Sequence, residues 1–109
     1  MLKIDPNNAD GHAGLADAFA DQHRNLDALE EYKRAAAIDS GIQGVNYNMG
    51  VMQARLKLYD DAIASLLKQR QDADNADNEN LLADVYDEKG MKSEAADARQ
   101  RAGQLQAAH

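Results

Sequence analysis

The chain repeats itself about every 34 residues, and that period narrows the folds open to it more than any other feature. Ala28-Leu29 returns as Ala62-Ile63 and, one residue early, as Ala95-Ala96. Upstream of each pair lies a second match: Leu15-Ala16, Met49-Gly50 and Leu82-Ala83. Ile4-Asp5 anticipates Ile38-Asp39 at the same spacing. A unit of this length holds two short helices. Neither covers its apolar stripe alone, so each unit must stack on its neighbours. Such a stack presents a surface, which shifts the question from a reaction to a partner.

Pattern and punctuation predict six helices and no strands, since no stretch alternates with period two. The first runs from about Ala9 to Asp21, with Asn8 as its N-cap, and buries Leu15, Ala16 and Phe19. The turn His23-Arg24-Asn25 leads to a second, near Leu26 to Ile38, with Leu29, Tyr32, Ala36 and Ile38 on one stripe. Ser40-Gly41 breaks the chain. The third helix is expected from about Ile42 to Leu56 and the fourth from about Asp60 to Gln71. Asp72 to Asn78 reads as a polar connector. The fifth helix spans roughly Glu79 to Glu88 and stops at Gly90; the sixth runs from near Lys92 towards Ala107. Residues 1–6 read as the last turn of a preceding helix.

Alanine carries much of the 44% hydrophobic content, and aromatic residues make up only 5%. A thin core between closely packed helices follows. The formal net charge of −7 opposes non-specific binding to nucleic acid and adsorption to anionic lipid. With no cysteine there is no disulfide and no thiolate zinc site. No run of residues approaches the length of a membrane span. The first residues lack the apolar stretch of a signal peptide, which leaves the cytoplasm as the default expectation.

In register, these residues resemble tetratricopeptide repeats (TPRs), whose pattern is W-x2-L-G-x2-Y, then A-x3-F, then P. The first copy reads His12-x2-Leu15-Ala16-x2-Phe19, then Ala28-x3-Tyr32, with Ser40 at the Pro position. The second reads Asn46-x2-Met49-Gly50-x2-Gln53, then Ala62-x3-Leu66. The third reads Glu79-x2-Leu82-Ala83-x2-Tyr86, then Ala95-x3-Arg99, which puts Arg99 at an aromatic position. Pro6 stands where a preceding repeat would close. Pentatricopeptide repeats have a similar period but bind RNA, which the negative charge disfavours. Sel1-like repeats run a little longer. The resemblance implies an all-α fold, a right-handed α-solenoid of about three helix-turn-helix units. Their expected spans are 9–42, 43–75 and 76–109, after a tail of a truncated repeat at 1–8.

In TPR proteins the first helix of each pair lines a concave groove. By that resemblance the groove residues are Asp10, Ala13, Asp17, Ala20 and Asp21; Gly44, Tyr47, Val51, Ala54 and Arg55; and Asp77, Asn80, Asp84, Asp87 and Glu88. The three sets carry net charges of −3, +1 and −4, nearly the whole excess of the chain. Like charge in a concavity attracts cations, so a basic segment is the expected partner, with Tyr47 and Val51 as an apolar floor. Acid-rich helix faces also serve simply to keep repeat proteins soluble. The TPR arrangement that grips chaperone C-terminal carboxylates needs Lys and Asn, then Asn, then Lys and Arg. Here those positions hold Ala13 and Asp17, Asn48, and Asp77 and Leu81, and the cationic donors are missing.

Catalytic chemistry finds little footing. Ser40, Ser65 and Ser93 have no evident histidine partner. His12 stands at the Trp position of the pattern and reads as a packing residue, His23 lies in a turn, and His109 is last in the sequence. No metal-ligand spacing joins them. Gly11-x2-Gly14 and Gly41-x2-Gly44 lack the Lys-Ser/Thr of a phosphate loop. Asp72, Asp74 and Asp77 lack the Gly and Glu of a calcium loop. The expectation is a binding module without enzymatic activity, cofactor or metal, whose partner is a protein or peptide. The alternative is a segment that stacks on further repeats or on a second copy. Its motive is an uncovered outer side of the first pair, expected to carry Ala16 and Phe19.

Overall fold

Three helical hairpins stacked in a row make up the described residues. The computed structural model describes residues 8–107, and the expected features at residues 1–7 and at His109 lie outside them. The elements are α1 (Ala9–Asp21), α2 (Asn25–Ile38), α3 (Val45–Arg55), α4 (Tyr59–Ala73), α5 (Ala76–Glu88) and α6 (Lys92–Ala107). No strand occurs among the described residues. Each hairpin packs closely within itself, and α2 against α3 and α4 against α5 join one hairpin to the next. The result is an elongated all-α solenoid, 47 × 29 × 21 Å.

The three hairpin turns are built alike. Each places one residue in the left-handed region, at His23 (φ 60°), Lys57 (φ 63°) and Gly90 (φ 77°). The next amide then reaches back to the last full turn of the helix. Arg24 N donates to Phe19 O (2.9 Å), Leu58 N to Gln53 O (2.8 Å) and Met91 N to Tyr86 O (2.8 Å). This closure satisfies carbonyls that would otherwise be orphaned at the helix end. In the first turn the Arg24 guanidinium also lies over the Phe19 ring, 4.4 Å from its centroid. A left-handed conformation costs a residue with a Cβ about 1 kcal/mol, and only the third turn uses glycine. His23→Gly is therefore expected to stabilise the chain by about 0.5 kcal/mol, the relief being partly offset by a freer unfolded chain. Gly90→Ala is expected to destabilise it by about 1 kcal/mol. Chemical denaturation of the two variants checks the pair, and shifts of the same sign would contradict this account of the turns.

Small residues set how closely the helices approach. Ala16, Ala28, Ala62, Ala83 and Ala95 are fully buried, as the repeat pattern requires. At Gly50 the approach is closest: a Cβ there would lie 2.6 Å from Leu66 Cδ2. Ala16 is sealed within the first hairpin, so it cannot contribute to an uncovered outer side. Two apolar clusters result. One joins Ala16, Ala28, Leu29, Tyr32, Val45 and Met52; the other joins Leu66, Leu82, Val85 and Tyr86 with the alanines of α4, α5 and α6. Between them, the α3–α4 hairpin relies partly on polar contacts. The Ser65 hydroxyl bonds the Gln53 side chain (2.6 Å), and Gln69 Oε1 accepts from the Tyr47 amide (3.3 Å).

The structure corrects several expected bounds. Helix α3 begins at Val45 rather than near Ile42, because Gly44 is left-handed (φ 78°) and cannot be part of the helix. Ile42 still packs against the first cluster from the loop. The expected polar connector at 72–78 shrinks to Asp74 and Asn75. Helix α4 continues to Ala73, and the Asn75 side chain caps α5 by accepting from Asn78 N (2.8 Å). Ile38, placed on the buried stripe of α2, is 41% exposed at the last residue of that helix. Its place in the stripe is taken by Ala35, which is fully buried.

Candidate functional site

The first helix of each hairpin turns one face to a pair of hollows. One, of about 340 Å³, opens between α1 and α3 and is lined by Asp17, Ala20 and Asp21 opposite Tyr47, Asn48, Val51 and Arg55, with Tyr32 and Met52 beneath. The second, of about 370 Å³, lies between α3 and α5, where Ala54, Lys57 and Tyr59 face Leu81, Asp84, Val85 and Glu88. Between them the two hollows take in Asp17, Asp21, Tyr47, Val51, Arg55, Asp84 and Glu88, a strip across the first helices. Asp10 and Asn80 are exposed but line neither hollow. Asp87 lies one turn away and turns towards α6, where Arg99 donates to its carboxylate. That bond holds the Asp87 carboxyl below its ordinary range.

The strip owes its shape to pairs that repeat at the unit spacing. In the first hairpin Tyr32 on α2 donates its hydroxyl to Asp17 on α1. Burial, and then the Asp17 carboxylate, push the Tyr32 hydroxyl far above its usual range, so it stays a neutral donor. One unit later the same two positions are Leu66 and Val51, both apolar. In the third hairpin they are Arg99 and Asp84, 3.5 Å apart. The arginine at an aromatic position is thus matched by an acid on the facing helix. Tyr47 is half-buried, and its hydroxyl is raised first by burial and then by the nearby Asp77 carboxylate.

Sequence reasoning missed Lys57, which joins the second hollow because its left-handed turn brings it beside the end of α3. Each hollow therefore sets two carboxylates against one cation: Asp17 and Asp21 against Arg55, and Asp84 and Glu88 against Lys57. The strip is less negative than its composition suggests.

The positions that carry Trp in the pattern hold polar residues, and each is tied to a second helix. His12 Nδ1 lies 2.9 Å from the buried Glu31 carboxylate, and Asn46 donates to Asp72 (3.1 Å). Glu79, completely buried, accepts two hydrogen bonds from Arg70 (2.7 and 2.8 Å), while Arg101 approaches to 3.6 Å. The Glu79 bond holds the Arg70 guanidinium above its already high range. These residues are structural. Asp72 and Asp74, weighed above as parts of a calcium loop, accept from Asn46 and Arg101 respectively.

Comparison with known proteins places this architecture. No protein-family model matches the chain. The type IV pilus assembly protein PilF of Pseudomonas aeruginosa is 41% identical over 71 residues, 65% of this chain and 28% of that protein. Superkiller protein 3 of Schizosaccharomyces pombe is 25% identical over 112 residues, 95% of this chain. The chain spans only 28% and 8% of the lengths of these two relatives. Among solved structures, MamA superposes with a TM-score of 0.89 at 19% identity, covering 94% of this chain and 60% of that one. YrrB, a TPR protein with an unusual peptide-binding site, superposes with a TM-score of 0.81 at 22% identity, covering 91% of this chain and 52% of that one.

Proposed function

The chain is a tetratricopeptide-repeat array in fold, and we propose that it holds a protein or peptide segment along the strip formed by α1, α3 and α5. Protein interaction is the general use of this fold. The observation that carries the reading is the run of two hollows with apolar floors and charged rims on one face. The reading keeps the unit spans 9–42, 43–75 and 76–109. Tyr47 and Val51 are the apolar contacts on the α3 side of the first hollow, and an aromatic ring that loses its water on contact concentrates interface energy. Asp17, Asp21, Asp84 and Glu88 form the rim; Asp10, Asn80 and Asp87 lie beyond it, where the two carboxylates add to the longer-range field. Rim acids favour a partner with Lys or Arg and act mainly on association rate and partner choice.

An array of peptides scored for binding at low and high salt tests this. Peptides that carry Lys or Arg should dominate the hits and weaken with salt, because exposed charges are screened beyond about 8–10 Å near physiological ionic strength. Tyr47→Ala should weaken the hits at least tenfold, a loss of about 1.4 kcal/mol or more. Salt-insensitive hits that survive Asp84→Lys with Glu88→Lys would remove the acidic-rim reading.

A second reading, self-association, has one observation in its favour. At the α1–α2 end of the stack a hollow of about 430 Å³ is lined by His12, Arg34, Ala37 and Ile38. A dimer in solution that Ile38→Asp breaks, together with no peptide hits, would favour that reading.

A further inference from the structure

The strip carries a charge order of its own. At one repeated position the three first helices present Asp17, Val51 and Asp84; one helical turn further on they present Asp21, Arg55 and Glu88. Across the face the second row runs negative, positive, negative. All three of its residues are exposed and line the hollows. No hydrogen bond or ion pair among the described residues engages Asp21 or Glu88. Arg55 reaches only the Asn25 side chain, at 3.4 Å, which leaves most of its guanidinium donors open. The central position of the first row is apolar, so the middle of the face offers Val51 and Arg55 and no carboxylate.

From this order we infer that the partner is not uniformly basic. It is a segment that places a Lys or Arg over Asp21, an Asp or Glu over Arg55, and a second Lys or Arg over Glu88. A uniformly basic segment would set a cation against Arg55, and like charges in apposition select against a partner. A hollow separates each first helix from the next, so adjacent ones stand at least one helix diameter apart, roughly 10 Å or more. An extended chain rises about 3.3 Å per residue, so the three charges fall at least about three residues apart. The inference rests on the reading of α1, α3 and α5 as the binding face, and adds to it the charge sequence of what binds there.

The test is a displayed library of random 12-residue peptides, selected in parallel against the whole chain and its Arg55→Glu and Val51→Arg variants. Wild-type selection should enrich basic–acidic–basic peptides at that spacing at least threefold over the input library. Arg55→Glu should move the preference at the central position from acidic to basic, and Val51→Arg should abolish recovery. Binders lost with Val51→Arg but unchanged by Arg55→Glu would overturn the charge order and leave the binding face standing. Recovery that survives Val51→Arg, or no enriched peptide at all, would overturn both.

Discussion

Gly50→Leu is expected to destabilise the chain by about 3 kcal/mol or more. Gly50 sits where α3 crosses Leu66 of α4, and a Cβ placed on it would lie 2.6 Å from Leu66 Cδ2 and 2.8 Å from Cγ. Such distances require movement. Leu66 is fully buried, so its side chain has no open space to enter. Helix α3 belongs to one apolar cluster through Val45 and Met52 and α4 to the other through Ala62 and Leu66, and pushing the two helices apart would also strain the Gln53–Ser65 bond that spans them. Ala62→Leu, at a fully buried alanine of the same hairpin, should act in the same direction by about 1–3 kcal/mol. Urea denaturation gives the values. Adding Leu66→Ala to Gly50→Leu should recover part of the loss, since the two residues share one space. A midpoint for Gly50→Leu close to that of the wild type would mean that α3 and α4 do not meet there.

Arg70→Met is expected to cost about 3 kcal/mol. Glu79 is completely buried, and Arg70 supplies both of its close hydrogen bonds. Removing the arginine leaves a buried carboxylate facing only Arg101, whose guanidinium is 3.6 Å away and half-exposed. Breaking a buried pair from one side typically costs about 3–5 kcal/mol, and Arg101 holds the effect at the lower end. Replacing both partners with apolar residues, as Arg70→Met with Glu79→Leu, removes the stranded charge and should bring stability back towards the wild type. Thermal melts of the single and double variants measure this. A double variant as unstable as the single one would show that the loss is packing and not uncompensated charge.

The helical layout was legible because small residues recur where helices touch. Ala28, Ala62 and Ala95 have no other reason to repeat at that spacing, and all three are fully buried. The start of α5 was not legible, since five of the seven residues from Asp72 to Asn78 are Asp or Asn and such polarity reads as loop. The local signal was Asn75, an N-cap followed three residues later by the amide it binds. The burial of Glu79 was equally hidden. Its partner lies on the preceding helix, brought near by the fold and not by helical periodicity.

For the candidate face, the repeat register placed Asp17, Asp21, Tyr47, Val51, Arg55, Asp84 and Glu88 on one strip. It could not separate Asp87 from that strip, because Asp87 stands only about 60° round the helix from Asp84. Arg99 of α6 reaches both Asp84 and Asp87, but only Asp84 also lines the hollow. Lys57 escaped notice because it sits in a turn, and backbone geometry there decides which side its chain takes.

The claim at the centre of this account is that the face made by α1, α3 and α5 is where a partner lies. Amide chemical-shift mapping of the labelled chain tests it most directly, on titration with a basic–acidic–basic peptide recovered from the library. The account predicts the largest shifts around Asp21, Tyr47, Val51, Arg55, Asp84 and Glu88, with α2, α4 and the outer side of α6 little changed. Shifts centred instead on α2 and α4, or on the Ile38 end of the stack, would contradict it.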